Sequence, residues 1–251
     1  MPLIRFIYRF ILFILSVTLV LPFVLLLITI SQKNNNRAFN KKVVNWWSKL
    51  LCYACGLKLS YKGKIQANPV LIVANHISWI DIPVIHSYKL VGYVAKAEIE
   101  NWPLLGIVAK CGESLFIKRG EQESRRRVLE SIKLRLKGKR SIAVFPEGKA
   151  TNGEYLGRFH RQLMHAAIEE NTPIQAIAIK YINKDGKRNK EIAFKGKENF
   201  IRNVFRILSL PRSTAELTFC EVIDTKSISA RKAAITSREQ VKTELLKNDY
   251  M

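Results

Sequence analysis

The sequence has few acidic residues for its length. Its 251 residues include 20 Asp and Glu against 42 Lys and Arg, which gives a formal net charge of +22 at pH 7. Hydrophobic residues make up 48% of the chain, which excludes a disordered basic tail, because sequences of that class are poor in hydrophobic residues. The excess positive charge therefore lies on a folded surface and predicts an anionic partner, either nucleic-acid phosphates or lipid headgroups.

Cysteine is scarce as well, since the chain has four. Cys52 and Cys55 form one C-x-x-C, but the second cysteine pair or the spaced histidines of a zinc site are missing. We interpret the two as small apolar residues with free thiols, and we expect no disulfide framework and no metal site. The sequence also lacks a recognisable nucleic-acid-binding motif, so lipid is the expected anionic partner and nucleic acid is not.

Charge is absent from residues 10–30. This apolar run has the length of about 20 residues that a membrane-spanning helix needs. A cleaved signal peptide is the alternative, because Arg5 and Arg9 supply a basic start, but no small-residue cleavage pattern follows the run. Pro22 lies inside it, so a kinked helix or a re-entrant pair of helices is as consistent with the sequence as one straight span.

The residues after this run indicate its orientation. More positive charge follows the run than precedes it, which predicts that the main body of the protein lies on the cytoplasmic side of the membrane. Residues 43–56 place Trp46, Trp47 and Tyr53 beside Lys49, a pattern that fits a helix at the membrane interface or a helix in the core. We therefore expect an N-terminal membrane-anchoring helical segment at residues 1–58 and a second domain at 59–251, with membrane lipids as partners.

From about Leu59 onward, short β-rich runs alternate with helical stretches, which is typical of an α/β fold. Residues 121–136 predict an amphipathic helix, because four aliphatic residues share one face and basic residues occupy most of the remainder. Residues 229–246 predict a second, polar helix. The predicted strands are residues 70–74, 92–95, 115–118, 141–145, 174–180, 191–194 and 216–223.

The first group of chemically suggestive residues follows a predicted apolar strand and reads NHISWID, residues 75–81. On one continuous helix His76 and Asp81 would point about 140° apart and could not meet. Pro83 limits the helix to a start near Asp81, so the preceding residues are expected to form a turn that lets the carboxylate reach the imidazole.

Such a pair can act as a base, because the aspartate fixes the histidine tautomer and the second ring nitrogen can take a proton from a hydroxyl. In the alternative interpretation, Asp81 caps the helix and His76 is a hydrogen-bonded structural residue. Ser78 lies in the same segment, but the G-x-S-x-G pattern of a nucleophilic serine is missing.

Two further polar groups follow predicted strands. Lys118 and Arg119 end one strand and can bind a phosphate, since a guanidinium offers two parallel N–H donors. The sequence FPEGKAT, residues 145–151, predicts a turn that presents Glu147 and backbone N–H groups, although a simple strand-ending turn has the same pattern. Ligands of open α/β sheets bind beyond the carboxyl ends of the strands, so mainly parallel strands would bring all three groups to one site.

Together these groups resemble conserved blocks of the 1-acyl-sn-glycerol-3-phosphate acyltransferases, also called lysophosphatidic acid or glycerolipid acyltransferases. NHISWID resembles the first block, NHxxxxD; LFIKRG resembles the second, FPEG the third and TPIQA the fourth, in the order of the family. The resemblance covers about residues 60–225, and VAKAEIENWPLLG is similar to the branch of lyso-ornithine-lipid acyltransferases. It implies a mixed, largely parallel sheet flanked by helices, with an N-terminal membrane-associated segment, and makes residues 59–251 the catalytic domain.

The resemblance implies acyl transfer from acyl-CoA or acyl-carrier protein to a lysolipid hydroxyl, without a cofactor or metal. With 1-acyl-sn-glycerol-3-phosphate as acceptor, the product is phosphatidic acid of phospholipid biosynthesis. The implied catalytic residues are His76 as general base and Asp81 as its orienting partner. The implied substrate-binding residues are Lys118 and Arg119 at the acceptor phosphate, with Glu147 and Gly148 at the glycerol backbone.

The third block departs from the family pattern. It usually continues FPEG-T-R-S, whereas here Lys149, Ala150 and Thr151 follow the glycine. The missing arginine is a phosphate contact in the usual picture of the family, and Lys149 supplies charge without the planar fork. A different acceptor such as lyso-ornithine lipid therefore stays open. A non-catalytic membrane-binding protein is the other alternative, against which the intact His76 and Asp81 argue.

Overall fold

The computed structural model describes residues 2–33, 36–66, 69–102, 105–118 and 122–247. The strands in these ranges are β1 (Leu57–Lys62), β2 (Leu71–Ala74), β3 (Gly92–Lys96), β4 (Leu115–Ile117), β5 (Ile142–Val144), β6 (Ile174–Ile182) and β7 (Ser213–Ile223). The α-helices are α1 (Pro2–Leu15), α2 (Leu21–Lys33), α3 (Arg37–Ala54), α4 (Asp81–His86), α5 (Leu105–Cys111), α6 (Gln122–Lys137), α7 (Met164–Glu169), α8 (Phe200–Ser209) and α9 (Ala230–Leu246).

The strands form one mixed, largely parallel sheet in the order β1-β7-β6-β2-β5-β3-β4. Parallel pairing joins β6, β2, β5, β3 and β4, whereas β7 is antiparallel to β6 and parallel to β1. The strands β2, β5, β3 and β4 therefore end at one edge of the sheet, where β1 and β7 begin. We call this edge, which lies beyond Ala74 and Val144, the site edge. The expected fold class is confirmed.

Side chains of the strands alternate between two hydrophobic cores, because successive residues of a strand point to opposite faces of the sheet. Ile72 and Ala74 pack into the first core with residues of α3, α4 and α8. Leu71 and Val73 pack into the second core with residues of α6, α7 and α9. Helices therefore cover both faces of the sheet, and the predicted helices 121–136 and 229–246 both lie over the second core.

One predicted strand is wrong and one strand was missed. Residues 191–194 do not join the sheet; Lys190–Ile192 is a short 3-10 helix, since the Asn189 side chain accepts a hydrogen bond from the Glu191 N–H at 3.0 Å and closes a turn. The missed strand, β1, follows α3 directly through Gly56. The other predicted strands are confirmed to within a few residues, β7 beginning three residues earlier than expected.

Helical structure continues from Pro2 to Lys33 through a π-helical segment, Ser16–Val20. This wider turn ends just before Pro22, whose ring and missing N–H disfavour a regular α-helical turn. The helix is therefore not broken into a re-entrant pair. The segment Leu3–Ser31 is long and apolar enough to cross a membrane, and 22% of its most apolar stretch is buried in the protein. This finding supports membrane association.

The helix α3 buries one face in a core, and its interpretation as a membrane-interface helix stays a prediction. Trp47 and Leu51 are buried against α2, whereas Trp46 and Tyr53 are 54% and 49% exposed. Cys52, also on α3, is a free, buried thiol of the first core. The helical segment thus shares a core with the sheet, and the division of the chain at residue 58 stays a prediction about membrane anchoring.

Candidate active site

The turn after β2 brings His76 to Asp81, as the position of Pro83 predicts. Asp81 begins α4, and its Oδ2 lies 2.8 Å from Nδ1 of His76. Since Nδ1 contacts the carboxylate, Nε2 is the ring nitrogen available to a substrate. The His76 side chain is 19% exposed, and Asp81 is fully buried. The arrangement is that of an imidazole with one side held by a carboxylate and the other open.

Asp81 is surrounded by donors. Its Oδ2 also accepts the backbone N–H groups of Ile77 and Ser78 at 2.8 and 3.0 Å, and its Oδ1 accepts the Tyr181 hydroxyl at 2.6 Å. A buried carboxylate is tolerated when hydrogen bonds of this kind compensate its charge. Burial, and secondarily the charge of Asp81, raises the pKa of Tyr181 well above its ordinary value, so its hydroxyl stays a donor.

Tyr181 was missed at the sequence level. It lies near the end of β6 and 100 positions from Asp81 along the chain. Asn75 joins the same strand to residues 75–81, which we call the catalytic turn, because its side chain accepts from the Ile179 N–H at 2.8 Å and donates to the Ile179 carbonyl at 3.0 Å. Alternation along β6 places Tyr181 on the same face as Ile179, but no local pattern shows that Asp81 faces it.

An aromatic platform holds the imidazole plane. Phe145, the residue after β5, stacks on His76 with ring centroids 4.1 Å apart and planes 15° apart. Phe145 also stacks with Tyr93, and the centroids of these two rings are 5.6 Å apart. The stacking restricts rotation of His76, and an aromatic face also stabilises a cation that forms on the ring.

Glu147 holds the catalytic turn from the side of β5. One carboxylate oxygen accepts the His76 N–H at 2.8 Å, and the other accepts the Gly157 N–H at 2.7 Å. Glu147 is 8% exposed, and burial raises the pKa of its carboxyl group. These contacts make Glu147 a positioning residue for His76. Its expected contact with the glycerol backbone of a substrate stays a prediction.

The turn that follows Glu147 borders the open side of the site. Gly148 has φ = 76°, a conformation that favours glycine, and its N–H donates to the Phe145 carbonyl at 3.1 Å. Lys149 and His160 are both exposed. The His160 ring borders the turn, because its Cδ2 would lie 4.0 Å from a β-carbon added to Gly148. The turn therefore carries positive charge at the rim of the site.

Lys118 lies at the same edge but farther from His76. It follows β4 directly and is exposed, and its backbone N–H donates to Ser124 Oγ at 2.9 Å. Three strand spacings separate β4 from β2, which is about 14 Å. Arg119, the second expected phosphate contact, lies outside the described residues. Lys118 is thus placed toward the distal part of any ligand that reaches His76.

Ser78 has a structural contact. Its side chain is buried, and its hydroxyl donates to Asn203 Oδ1 of α8 at 3.2 Å. Trp79, the next residue, contacts Phe200 of α8 and Phe13 of α1, with ring centroids 5.4 and 6.2 Å away. The catalytic turn therefore packs directly against the apolar N-terminal helix.

The geometry suits removal of a proton from a substrate hydroxyl. Among the described residues, no group of three or more His, Cys, Asp or Glu could hold a metal ion. The described site consists of a His–Asp pair at the carboxyl edge of a largely parallel sheet, a backbone turn held by a buried glutamate, and a basic rim. It defines an α/β protein built for acid–base chemistry beside an apolar helix.

Comparison with known proteins identifies the family. The family described as Acyltransferase matches residues 57–180. A lyso-ornithine lipid O-acyltransferase of Pseudomonas aeruginosa is 32% identical over 205 residues, 82% of this chain and 79% of the relative. A 1-acyl-sn-glycerol-3-phosphate acyltransferase of Neisseria gonorrhoeae is 27% identical over 178 residues, 71% and 69% of the two chains.

The fold has a counterpart of known structure. The crystal structure of the 1-acyl-sn-glycerophosphate (LPA) acyltransferase PlsC from Thermotoga maritima superposes with a TM-score of 0.76 at 18% identity, covering 100% of this chain and 97% of that one. The chain belongs to the glycerolipid acyltransferase family, and it is an acyltransferase of lysophospholipids or related glycerolipids.

Proposed function

We propose that the protein transfers a fatty acyl group from acyl-CoA or acyl-carrier protein to the free hydroxyl of 1-acyl-sn-glycerol-3-phosphate, giving phosphatidic acid. The observation that carries this proposal is the 2.8 Å contact between His76 Nδ1 and the buried Asp81. It leaves one imidazole nitrogen for a hydroxyl at a site next to the apolar N-terminal helix.

In the proposed reaction, Nε2 of His76 takes the hydroxyl proton while the hydroxyl oxygen attacks the thioester carbonyl carbon. The C–S bond then breaks, the thiolate leaves and takes up the proton, and an ester and a free thiol are the products. Asp81 stabilises the imidazolium that forms between these steps, and the Phe145 ring supports the same cation. A thiolate is a good leaving group, so the step uses no separate general acid.

The basic rim supports a phosphate-bearing acceptor. Lys149 and the Gly148 backbone lie beside the catalytic turn, Lys118 follows β4 at the same edge, and Arg119 is the next residue in the sequence. These groups suit an anion at one end of an acceptor whose hydroxyl reaches His76. The Neisseria relative is named for this acceptor.

Lyso-ornithine lipid is the second candidate acceptor, because Ala150 stands where the family usually has arginine and the Pseudomonas relative is named for that substrate. Ornithine carries a carboxylate, which a single lysine such as Lys149 can pair without a planar fork. We further propose that the catalytic domain works on the cytoplasmic face of the membrane, as the charge around the N-terminal segment predicts.

One assay tests activity and acceptor together. Purified protein is given both lysolipids, each with acyl-CoA and with acyl-carrier protein, and ester formation is followed. His76→Ala should lower turnover by about 10²- to 10⁴-fold, whereas His165→Ala, a control at an exposed histidine of α7, should not. Wild-type turnover in the His76 variant would overturn the proposed base.

Ala150→Arg should raise kcat/KM for the phosphate acceptor about tenfold through one charge-assisted hydrogen bond.

A further inference from the structure

Three arginines converge at the site edge, away from the reaction centre. Arg5 and Arg9 of α1 and Arg212, just before β7, line a cavity of about 440 Å³ together with Ile4, Tyr8 and Gly56. β1 and β7 begin here, so the cavity lies toward the same edge of the sheet as His76. Three strand spacings, about 14 Å, separate β1 from β2. The cavity, which we call the arginine pocket, is therefore separate from the acyl-transfer site.

The positive charge of the arginine pocket is only partly compensated. Arg9 is 4% exposed and its Nη1 donates to the carbonyls of Leu210 at 2.6 Å and Leu208 at 3.4 Å. Arg5 donates to the Ser209 carbonyl through two nitrogens, at 2.6 and 3.2 Å. These carbonyls form the end of α8, whose dipole supplies about half a negative charge. Against three guanidinium charges, this leaves a net positive charge.

Within the described part of the chain, no Asp or Glu forms an ion pair with any of the three arginines. Arg9 is buried and Arg5 is half-buried, and a buried charge is normally paired because its removal from water is costly; Arg212 is exposed and open to a ligand. Each guanidinium has five N–H donors, so Arg5 and Arg9 keep donors after they cap α8. An external anion is the group that this arrangement lacks.

The local sequence makes room for the arginines. Gly56 has φ = +74°, a conformation that favours glycine, and a β-carbon there would contact the Arg9 guanidinium so closely that this side chain would have to move. Arg212 lies over the Tyr53 ring, 5.8 Å from its centroid. This cation–π contact orients Arg212 without neutralising it.

We propose that the arginine pocket binds the phosphate of an anionic membrane phospholipid. A guanidinium pairs with phosphate through two parallel N–H donors. The exposed apolar residues of α1 continue from the pocket, with Leu3 68% and Ile7 47% exposed, and supply a surface for the acyl chains. A bound headgroup here fixes the N-terminal helix and the site edge against the membrane surface.

The test measures binding of the full chain to phosphatidylglycerol vesicles. Arg212→Gln should weaken binding about five- to tenfold, since it removes one arginine contact but neither hydrogen-bonded cap of α8. Arg231→Gln, the same charge change on α9 over the second core, should weaken it less than about twofold. Arg212→Lys should fall between Arg212→Gln and the wild type, because it keeps the charge and loses the fork.

Equal losses in the Arg212→Gln and Arg231→Gln variants would overturn the proposal in favour of diffuse attraction, as would full binding by Arg212→Lys. Inorganic phosphate should compete poorly with the vesicles for the protein. Loss of vesicle binding in millimolar phosphate would show a site for free phosphate instead. Acyl transfer to a soluble short-chain lysolipid in detergent measures catalysis without vesicle binding. It therefore distinguishes failure of this proposal from failure of the proposed function. The Arg212→Gln variant should keep wild-type turnover there, whereas failure of the proposed function would remove turnover from every variant.

Discussion

Tyr181→Phe removes one hydroxyl from the buried side of the catalytic pair and leaves the rest of the ring in place. The lost bond, 2.6 Å to Oδ1 of Asp81, is a charge-assisted hydrogen bond in a site closed to water. No other described hydrogen bond reaches Oδ1, because the His76, Ile77 and Ser78 donors all contact Oδ2. Loss of a partner for one buried charged atom costs about 1–3 kcal/mol of folding free energy.

The same change loosens the orientation of the pair. Without the tyrosine donor, Asp81 is held by Oδ2 contacts alone, so it orients the His76 imidazole less firmly for proton removal. About 1 kcal/mol of this loss felt in the transition state lowers kcat about fivefold. The KM of the acceptor should stay within about twofold, since the change touches no predicted substrate contact.

Tyr61→Phe is the matched control. Its hydroxyl contacts Ser87 Oγ at 2.9 Å, in a half-buried place away from Asp81. This variant should lose stability without a change in kcat. Thermal unfolding followed by circular dichroism and steady-state acyl transfer below the unfolding temperature give the two readouts. A wild-type kcat in the Tyr181 variant, or the same fall in kcat in the Tyr61 variant, would refute a positioning role for Tyr181.

Three further outcomes test the site and its support. Asp81→Asn should lower kcat, measured by steady-state acyl transfer, by about 10³- to 10⁴-fold, because an amide cannot stabilise the imidazolium. A change in KM alone would contradict the orienting role of Asp81. Glu147→Gln should destabilise the fold by about 1–3 kcal/mol, since its amide N–H₂ would face the N–H of His76 or Gly157. The same variant should lower kcat more than it raises KM. A rise in KM alone would support a direct contact between Glu147 and the substrate. Burial lowers the pKa of His86 to about 4, so unfolding free energy should fall by about 3 kcal/mol between pH 6.5 and 4 as the unfolded chain binds the proton first. His86→Gln should remove that slope, and a slope that persists would assign it to other groups.

Links between the catalytic turn and the N-terminal helix bear on how the enzyme meets its substrate. Trp79 follows the buried Ser78 and contacts Phe13 on α1, so the residues beside His76 pack on the helix that is apolar enough to cross a membrane. The candidate active site is therefore adjacent to the part of the chain that supports membrane association.

The sequence by itself determined the class of fold, the membrane association and the acyltransferase family. Each depends on patterns that are local in the chain: an uncharged run of 21 residues at positions 10–30, the alternation of strands and helices, and four short blocks in order. It also predicted the contact of His76 with Asp81, because both residues lie in one turn whose shape Pro83 restricts.

Only the tertiary structure decided what surrounds that pair. Tyr181 reaches Asp81 from β6, Phe145 stacks on His76 from β5, and Glu147 holds the His76 backbone, because parallel pairing places these distant strands next to β2. The same is true of the arginine pocket, which combines α1 with residues before β1 and β7. Such neighbours are set by sheet order and strand register, which arise from packing of the whole chain and leave no mark in any short segment.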